Sequence, residues 1–337
     1  MFGKKTVFVV GAGCSAELGL PIGSELLDAM YKTLSNRDSP KFEQFYDAYI
    51  RCGIDGANVN FPLRLANFKA GLPTAPSIDQ YLDFHREDPA LVMLGKCALA
   101  TEILYAEAAC DLREEALQVL LPNWWLRWLF HMMMDGTLRG SPEKLFTNVS
   151  FICFNYDRII EIFFRRAVQA LSHCSPADAE AVVRDNLVIW HPYGTVGAPQ
   201  LAGPGISGSA YAFSGKRIET LDVLVAAKGL RTFTEGAAET KSREEMTSAM
   251  IKAQQIVFLG FSYLEANMAL LRTAPTATHA GQIFGTVYKT AQPNVHIARR
   301  RIIENLGSVQ TGIDHRITLA DLPASEFVSQ YGAALRS

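Results

Sequence analysis

The sequence is short of the residues that metal and disulfide chemistry need in sets. Its six cysteines stand at 14, 52, 97, 110, 153 and 174, and no two are spaced C-x-x-C. No histidine lies at ligand spacing from a cysteine pair, so a structural zinc is not expected. A disulfide framework is not expected either, in a chain of 337 residues without a secretion signal. Positive charge is not in excess, the formal net charge being −2. Binding nucleic acid through its backbone needs a basic face, and Arg299-Arg300-Arg301 reads as a solvated helix face instead. Long apolar runs are missing too. None reaches the roughly eighteen residues a membrane helix needs, and LQVLLPNWWLRWLFHMMM is broken by Pro122, Asn123, Arg127 and His131. A cytoplasmic protein without membrane contact is the expectation.

What is present is an ordinary globular balance, 49% apolar and 20% charged. It suits one large α/β domain, or a core with an insertion. The opening MFGKKTVFVVGAGC has the lysines, apolar run and cysteine of a lipoprotein leader. Its apolar run TVFVV is only five residues, however, and Gly11 stands where a leader needs a bulky aliphatic residue. It reads as a buried first strand. Further β-branched runs at Val149–Phe154, Leu187–Trp190, Ile256–Leu259, Ile283–Tyr288 and Arg316–Leu319 predict parallel strands, with Leu221–Ala226 a weaker candidate.

Helical patterns lie between several of these runs, as in βα units. The fold class predicted is α/β, a Rossmann-like parallel sheet with a large all-helical insertion. About 140 residues separate the first strand from Val149. Periodicity there predicts helices over Ser24–Leu34, Lys41–Cys52, Asp88–Arg113 and Arg113–Met134, with a looser segment at 53–78. The predicted division is a core of 1–23 and 146–337 and a helical insertion of 24–145. Within the insertion, Trp124–Phe130 reads as a core helix or as an oligomer surface. The glycine- and proline-rich stretch from Thr195 to about Phe213 reads as a lid or as a plain surface loop.

Four strand ends carry the candidate chemistry. In GAGCSAELGLP, Gly11, Ala12 and Gly13 follow a strand and Cys14–Leu18 can start a helix. Backbone amides and the Ser15 hydroxyl can then face an anion, with Gly13 letting a phosphate approach. The alternative is a glycine turn that serves close packing alone. The pattern is near G-x-G-x-x-G/A, with Ala16 third, yet no strand ending in Asp or Glu follows about twenty residues on. That departs from a nicotinamide-dependent dehydrogenase. In FICFNYDRIIE a buried strand ends in Asn155-Tyr156-Asp157, where helix capping explains one polar residue but not both. In LVIWHPYGTVG, His191 follows a strand and precedes Gly194, a place for a base or for a structural histidine. In IVFLGFSYLEANM, Gly260, Phe261 and Ser262 offer amides and a hydroxyl to a phosphate or a ribose.

Order and spacing narrow the choice. GAGCSAELGLP resembles the sirtuin opening G-A-G-x-S-x-x-x-G-I-P without a gap, with Gly19, Leu20 and Pro21 in register. FNYD resembles the family's Q-N-x-D at Asn155 and Asp157, with Phe154 in place of glutamine. His191, 36 residues after Asn155, falls where the family has its catalytic histidine, and Gly260-Phe261-Ser262 resembles the G-x-S ribose loop. The chain is thus similar to the SIR2-like family over about 1–23 and 149–290. SIDQYL at 77–82 looks like a short motif of bacterial members, which makes Asp79 a further candidate, with helix capping its alternative. Two departures matter. Ile22-Gly23-Ser24 stand where the deacylases have Asp-Phe-Arg, and no cysteine after 174 is there to build the family's zinc module.

The resemblance therefore implies the zinc-less SIR2-like NAD hydrolases of anti-phage defence, with NAD as substrate and no metal. It implies a pyrophosphate held by Gly11, Ala12, Gly13 and Ser15 beside Pro21, and a ribose near Gly260, Phe261 and Ser262. Asp157 is implied to take the nicotinamide amide and tolerate its charge. Asn155 orients ribose and water, and His191 is the base. A homo-oligomer through the 113–134 helix is expected, with a co-encoded ATPase or other defence protein as a conceivable partner. Two other activities stay open at this stage: NAD-dependent deacylation or ADP-ribosyl transfer, and a non-catalytic subunit that binds NAD or ADP-ribose.

Overall fold

The apolar runs become six strands: β1 (Thr6–Val10), β2 (Val149–Cys153), β3 (Val188–Trp190), β4 (Gln255–Leu259), β5 (Gln282–Thr286) and β6 (Ile317–Ala320). The computed structural model describes residues 2–54, 56–110, 124–135, 141–197, 218–238, 240–273, 281–306 and 313–336. All the strand pairings are parallel, in the order β3-β2-β1-β4-β5-β6. The chain builds outward from β1 in one direction, then returns to its other side with β4. The order reverses between β1 and β4, and a crevice opens at their carboxyl ends. This is the α/β, Rossmann-like sheet that the sequence predicts.

Fifteen helices are described around it. On the chain before β2 lie α1 (Ala12–Ala16), α2 (Gly23–Ser35), α3 (Pro40–Ile50), α4 (Phe61–Gly71), α5 (Ile78–Phe84), α6 (Pro89–Ala109) and α7 (Trp125–Met134). After β2 come α8 (Ile159–Ser172), α9 (Pro176–Asn186), α10 (Thr220–Gly229), α11 (Phe233–Ala238), α12 (Thr240–Lys252), α13 (Glu265–Leu270), α14 (Gln292–Leu306) and α15 (Ala324–Arg336).

Successive strand residues point to opposite faces, so each face has its own core. Val7 and Val9 pack under α2–α6, α10, α12 and α14, whereas Phe8 and Val10 pack under α7, α8, α9 and α15. The stretch 24–145 therefore divides between the two faces. Its α3 and α6 pack on α10, and its α7 packs on α15 and α8. Trp124, Trp125, Leu126, Leu129 and Phe130 are buried there and Trp128 is half-buried, so the Trp124–Phe130 segment packs as a core helix.

Two local readings differ from the sequence expectation. Leu221–Ala226 lies in helix α10, not a strand. Val223, Ala226 and Ala227 face the core at helical spacing, and the Glu219 amide donates to Asp222 at 2.9 Å to close the first turn. The segment expected to be loose contains α4, which starts after Asn60 in the left-handed conformation and has a proline in its first turn. The lid candidate from Thr195 to Phe213 lies largely outside the described residues.

Helix α6, with 21 residues, is the one described helix long and apolar enough to cross a membrane, and 78% of its apolar window is buried in the protein. Its charges show how it is held. Lys96 pairs with Glu235 at 2.6 Å, Glu102 with Lys41 at 2.9 Å, and Glu107 with Arg158 at 2.6 Å.

Register brings the strand tips to one level. Val10 pairs with Cys153 on one side and Leu259 on the other, and Ile152 pairs with Trp190. Gly11, Phe154, His191 and Gly260 consequently leave the sheet together. The Gly11 and Gly13 amides donate to Leu259 and Gly260 carbonyls at 2.9 and 3.0 Å. A Cβ on Gly11 would lie 2.5 Å from the Gly260 oxygen, and one on Gly13 would lie 2.8 Å from Gly260 Cα. Gly260 itself has φ +55°, and its Cβ would lie 2.4 Å from the Cys14 amide nitrogen. Gly260→Ala combines a left-handed alanine with a backbone clash, so a loss of about 2–5 kcal/mol is expected, measured by chemical denaturation.

Candidate functional site

The turn after β1 and the loop after β2 are tied by one hydrogen-bonded network. Asn155 Nδ2 donates to the Gly11 carbonyl at 3.1 Å and to Ser15 Oγ at 2.7 Å. Ser15 Oγ in turn donates to Asp157 Oδ2 at 2.7 Å, while the Ile159 amide donates to Asp157 Oδ1 at 3.2 Å. Asp157, just before the N-cap Arg158, thus takes a first-turn amide of α8, and Asn155 does not. Asn155, Asp157 and Ser15 are all buried. Burial pushes the Asp157 carboxyl up to about 6, against the Ser15 hydrogen bond, and the Glu107 charge adds to the rise.

The imidazole of His191 reaches the same network from the neighbouring strand. Nδ1 lies 3.3 Å from the Asn155 carbonyl oxygen and Nε2 lies 2.9 Å from Glu161 Oε1. Burial alone would lower its pKa. The carboxylate of Glu161 and the sulfur of Cys153 outweigh burial and hold it well above the ordinary histidine value. Glu161 stands one turn into α8, four residues after Asp157, and sequence reasoning passed over it. Its signal was present: an acid on the inward face of a helix otherwise buried over Ile159–Phe164.

Beneath this network lies a buried ion pair that sequence spacing could not disclose. Glu107, at the end of α6, accepts from the Arg158 amide at 2.8 Å and from its guanidinium at 2.6 Å. Helix α6 therefore anchors the loop that carries Asn155 and Asp157. Removing one partner of such a pair leaves the other charge buried alone. Glu107→Ala is expected to cost about 3–5 kcal/mol, read as a lowered denaturation midpoint.

The remaining sequence-predicted residues take these places. Ala12 and Gly13 are exposed at the tip of the first turn, but the Gly13 amide is already bonded to Gly260 and its Cα faces that backbone. Gly13 thus serves contact between two loops. Pro21 is half-buried just before α2. Phe261 is buried in an aromatic cluster, 5.1 Å from Phe154 and 5.5 Å from Phe258 between ring centroids, and Ser262 beside it is exposed. Asp79 is not a helix cap. Ser77 caps α5 by accepting from the Gln80 amide at 3.2 Å, and Asp79 Oδ1 instead accepts a hydrogen bond from the Tyr156 hydroxyl.

Beside Tyr156 and Tyr193 a cavity of about 310 Å³ opens between α5, α11 and α13. Asp79, Asp83, Tyr193, Asn267, Phe84 and Phe233 are among its lining residues. The Tyr193 hydroxyl donates to Asn267 Oδ1 at 2.7 Å, and the Val196 amide donates to the Tyr156 carbonyl at 2.9 Å. Those contacts join the cavity to the loops of Asn155 and His191, neither of which lines it.

No protein-family model matches this chain, and no curated protein matches it in sequence. Among solved structures, a Sir2 homolog crystallised as a complex with NAD is similar, with a TM-score of 0.44 and 13% identity over 99% of this chain and 90% of that one.

Proposed function

We propose that this protein binds NAD and cleaves the nicotinamide–ribose bond, giving nicotinamide and ADP-ribose. The observation that carries the reading is the meeting of Asn155 and His191, 3.3 Å apart through carbonyl and imidazole, at the carboxyl edge of the sheet. Both come from separate strand ends, and Asn155 is also bonded to the first glycine turn. Among the described residues, Asn155 Oδ1 has no protein partner, so it is the atom that can accept from a ribose hydroxyl or a water.

The nicotinamide leaves neutral from a cationic ring, and the ribose carbon passes through an oxocarbenium-like state comparable to that in glycoside hydrolysis. Negative and dipolar groups near that carbon favour it. Both imidazole nitrogens face acceptors, Nε2 the Glu161 carboxylate and Nδ1 the Asn155 carbonyl, so the ring is charged as it stands. It serves as base once Nδ1 has given its proton to solvent and turned from that carbonyl to a water, with Glu161 raising its basicity through Nε2. Asp157 has both oxygens engaged by Ser15 and the Ile159 amide, so its part is to hold Ser15 and Asn155 in place. The missing zinc cysteines and the Ile22-Gly23-Ser24 segment support hydrolysis over peptide deacylation. We read the activity as NAD depletion in anti-phage defence, in the cytoplasm, by a homo-oligomer that a co-encoded ATPase or similar partner controls.

A second reading, a subunit that binds NAD or ADP-ribose without turnover, is favoured by one observation: both imidazole nitrogens are occupied within the protein. Incubating the purified chain with NAD, with and without an acyl-lysine peptide, separates the readings. Nicotinamide released without peptide is the expected result. Release that requires peptide means acyl or ADP-ribosyl transfer, and binding without release means the non-catalytic subunit. Light scattering at micromolar concentration tests the oligomer.

A further inference from the structure

We infer that the cavity between α5 and α13 is the seat of a flat nitrogen heterocycle bearing an exocyclic NH2 group, with Asp79 accepting its hydrogen bond. The walls supply apolar area from Phe84, Phe233 and Leu264, which a planar ring can cover on its faces. The floor is rich in acceptors. The Asp79 carboxylate accepts from the Tyr156 hydroxyl and from its own backbone amide, and among the described residues no other side chain and no cation pairs with it, so lone pairs remain for a ligand. Asp83 is turned to its own neighbours, accepting from the Thr234 amide at 3.1 Å and hydroxyl at 2.5 Å, with Arg86 at 3.9 Å.

Two carboxylates against one arginine repel a phosphate and attract a neutral donor or a cationic ring. The volume of about 310 Å³ sits at the small end of the ordinary range for ligand sites, about 300–1,000 Å³, so one end of a dinucleotide fits and the whole does not. Burial pushes Asp79 up to about 6, against the Tyr156 hydrogen bond, so at neutral pH it is an acceptor. Tyr156 directly follows Asn155. On the NAD reading, on which this choice of end rests, that adjacency in sequence assigns the cavity to the nicotinamide ring.

The test uses the full chain, titrated calorimetrically with nicotinamide, adenosine and ADP-ribose, alongside NAD turnover. Asp79→Asn keeps an oxygen for Tyr156 but turns an NH2 donor toward the cavity. Phe84, 82% exposed, can be truncated without cost to the core. Nicotinamide is expected to bind, with Asp79→Asn and Phe84→Ala each weakening it about tenfold or more while ADP-ribose is held as before. Adenosine behaving so in place of nicotinamide supports the same chemistry and assigns the cavity to the adenine end. Failure of either base to bind, or binding unchanged in both variants, overturns the inference even if NAD is hydrolysed. Conversely, base binding that depends on Asp79 in a chain that never releases nicotinamide upholds the cavity and removes the proposed hydrolysis.

Discussion

Asn155→Ala is expected to remove nicotinamide release almost entirely, with kcat down by at least about a hundredfold. The side chain does two things that no neighbour duplicates. Its amide nitrogen bridges the Gly11 carbonyl and Ser15 Oγ, which fixes the first turn against the second loop. On the proposed mechanism its oxygen faces the sugar and the attacking water. Truncation removes the orienting group and also leaves two buried partners short of a donor, at about 1–3 kcal/mol of stability. Both quantities are measurable on one preparation: nicotinamide by chromatography at saturating NAD, and the denaturation midpoint. Ser15→Ala breaks the same bridge but spares Oδ1, so it should lower stability similarly and turnover less. A rate near that of the parent chain in folded Asn155→Ala would end the assigned role of this residue.

The sheet was largely legible because its signal is local. A parallel strand buried on both faces is apolar along nearly its whole length. TVFVV and QIVFL are fully buried in β1 and β4, and their polar first residues, Thr6 and Gln255, bond to each other. The same logic misled at Leu221–Ala226. A short apolar run suits a strand or a buried helix equally, and only the capping residues Glu219 and Asp222 separate them. Strand tips were legible too, since glycines, Asn155 and His191 each follow an apolar run directly.

What the sequence withheld is pairing across distance. Nothing local says that Glu107 and Arg158, 51 residues apart, meet in the interior, or that Asp79 meets Tyr156 at a separation of 77. The glycines show the same limit. Gly11 and Gly13 can be read as making room for a phosphate, yet the room they make is filled by Gly260 from a loop some 250 residues later. Helix α5 likewise lies within the expected helical insertion, and it forms one wall of the cavity beside the strand tips. The part of the chain least like a dinucleotide-binding core thus supplies groups to the candidate site.

The second large effect concerns His191 and turns on sign. His191→Ala is expected to lower kcat by about 10²–10⁴, the usual contribution of a positioned base. A structural role for the imidazole predicts a loss too, so the pH profile of Glu161→Gln is the discriminating measurement. In the parent chain burial favours neutral imidazole, but Glu161 and Cys153 prevail and raise the pKa. A base works only when deprotonated, so kcat/KM should climb as pH rises through that elevated value. Replacing the carboxylate by an amide removes its charge, burial gains, and the climbing limb should move to lower pH. Stability follows the opposite course. A histidine whose pKa is raised on folding stabilises fully below its unfolded value, about 6.5, and that contribution fades as pH rises through the folded value. Parent protein should therefore lose stability on the alkaline side while its activity rises, and Glu161→Gln should lack that particular loss. An activity limb that stays in place after the substitution would leave His191 a clamp on the Asn155 carbonyl and take the base out of the mechanism.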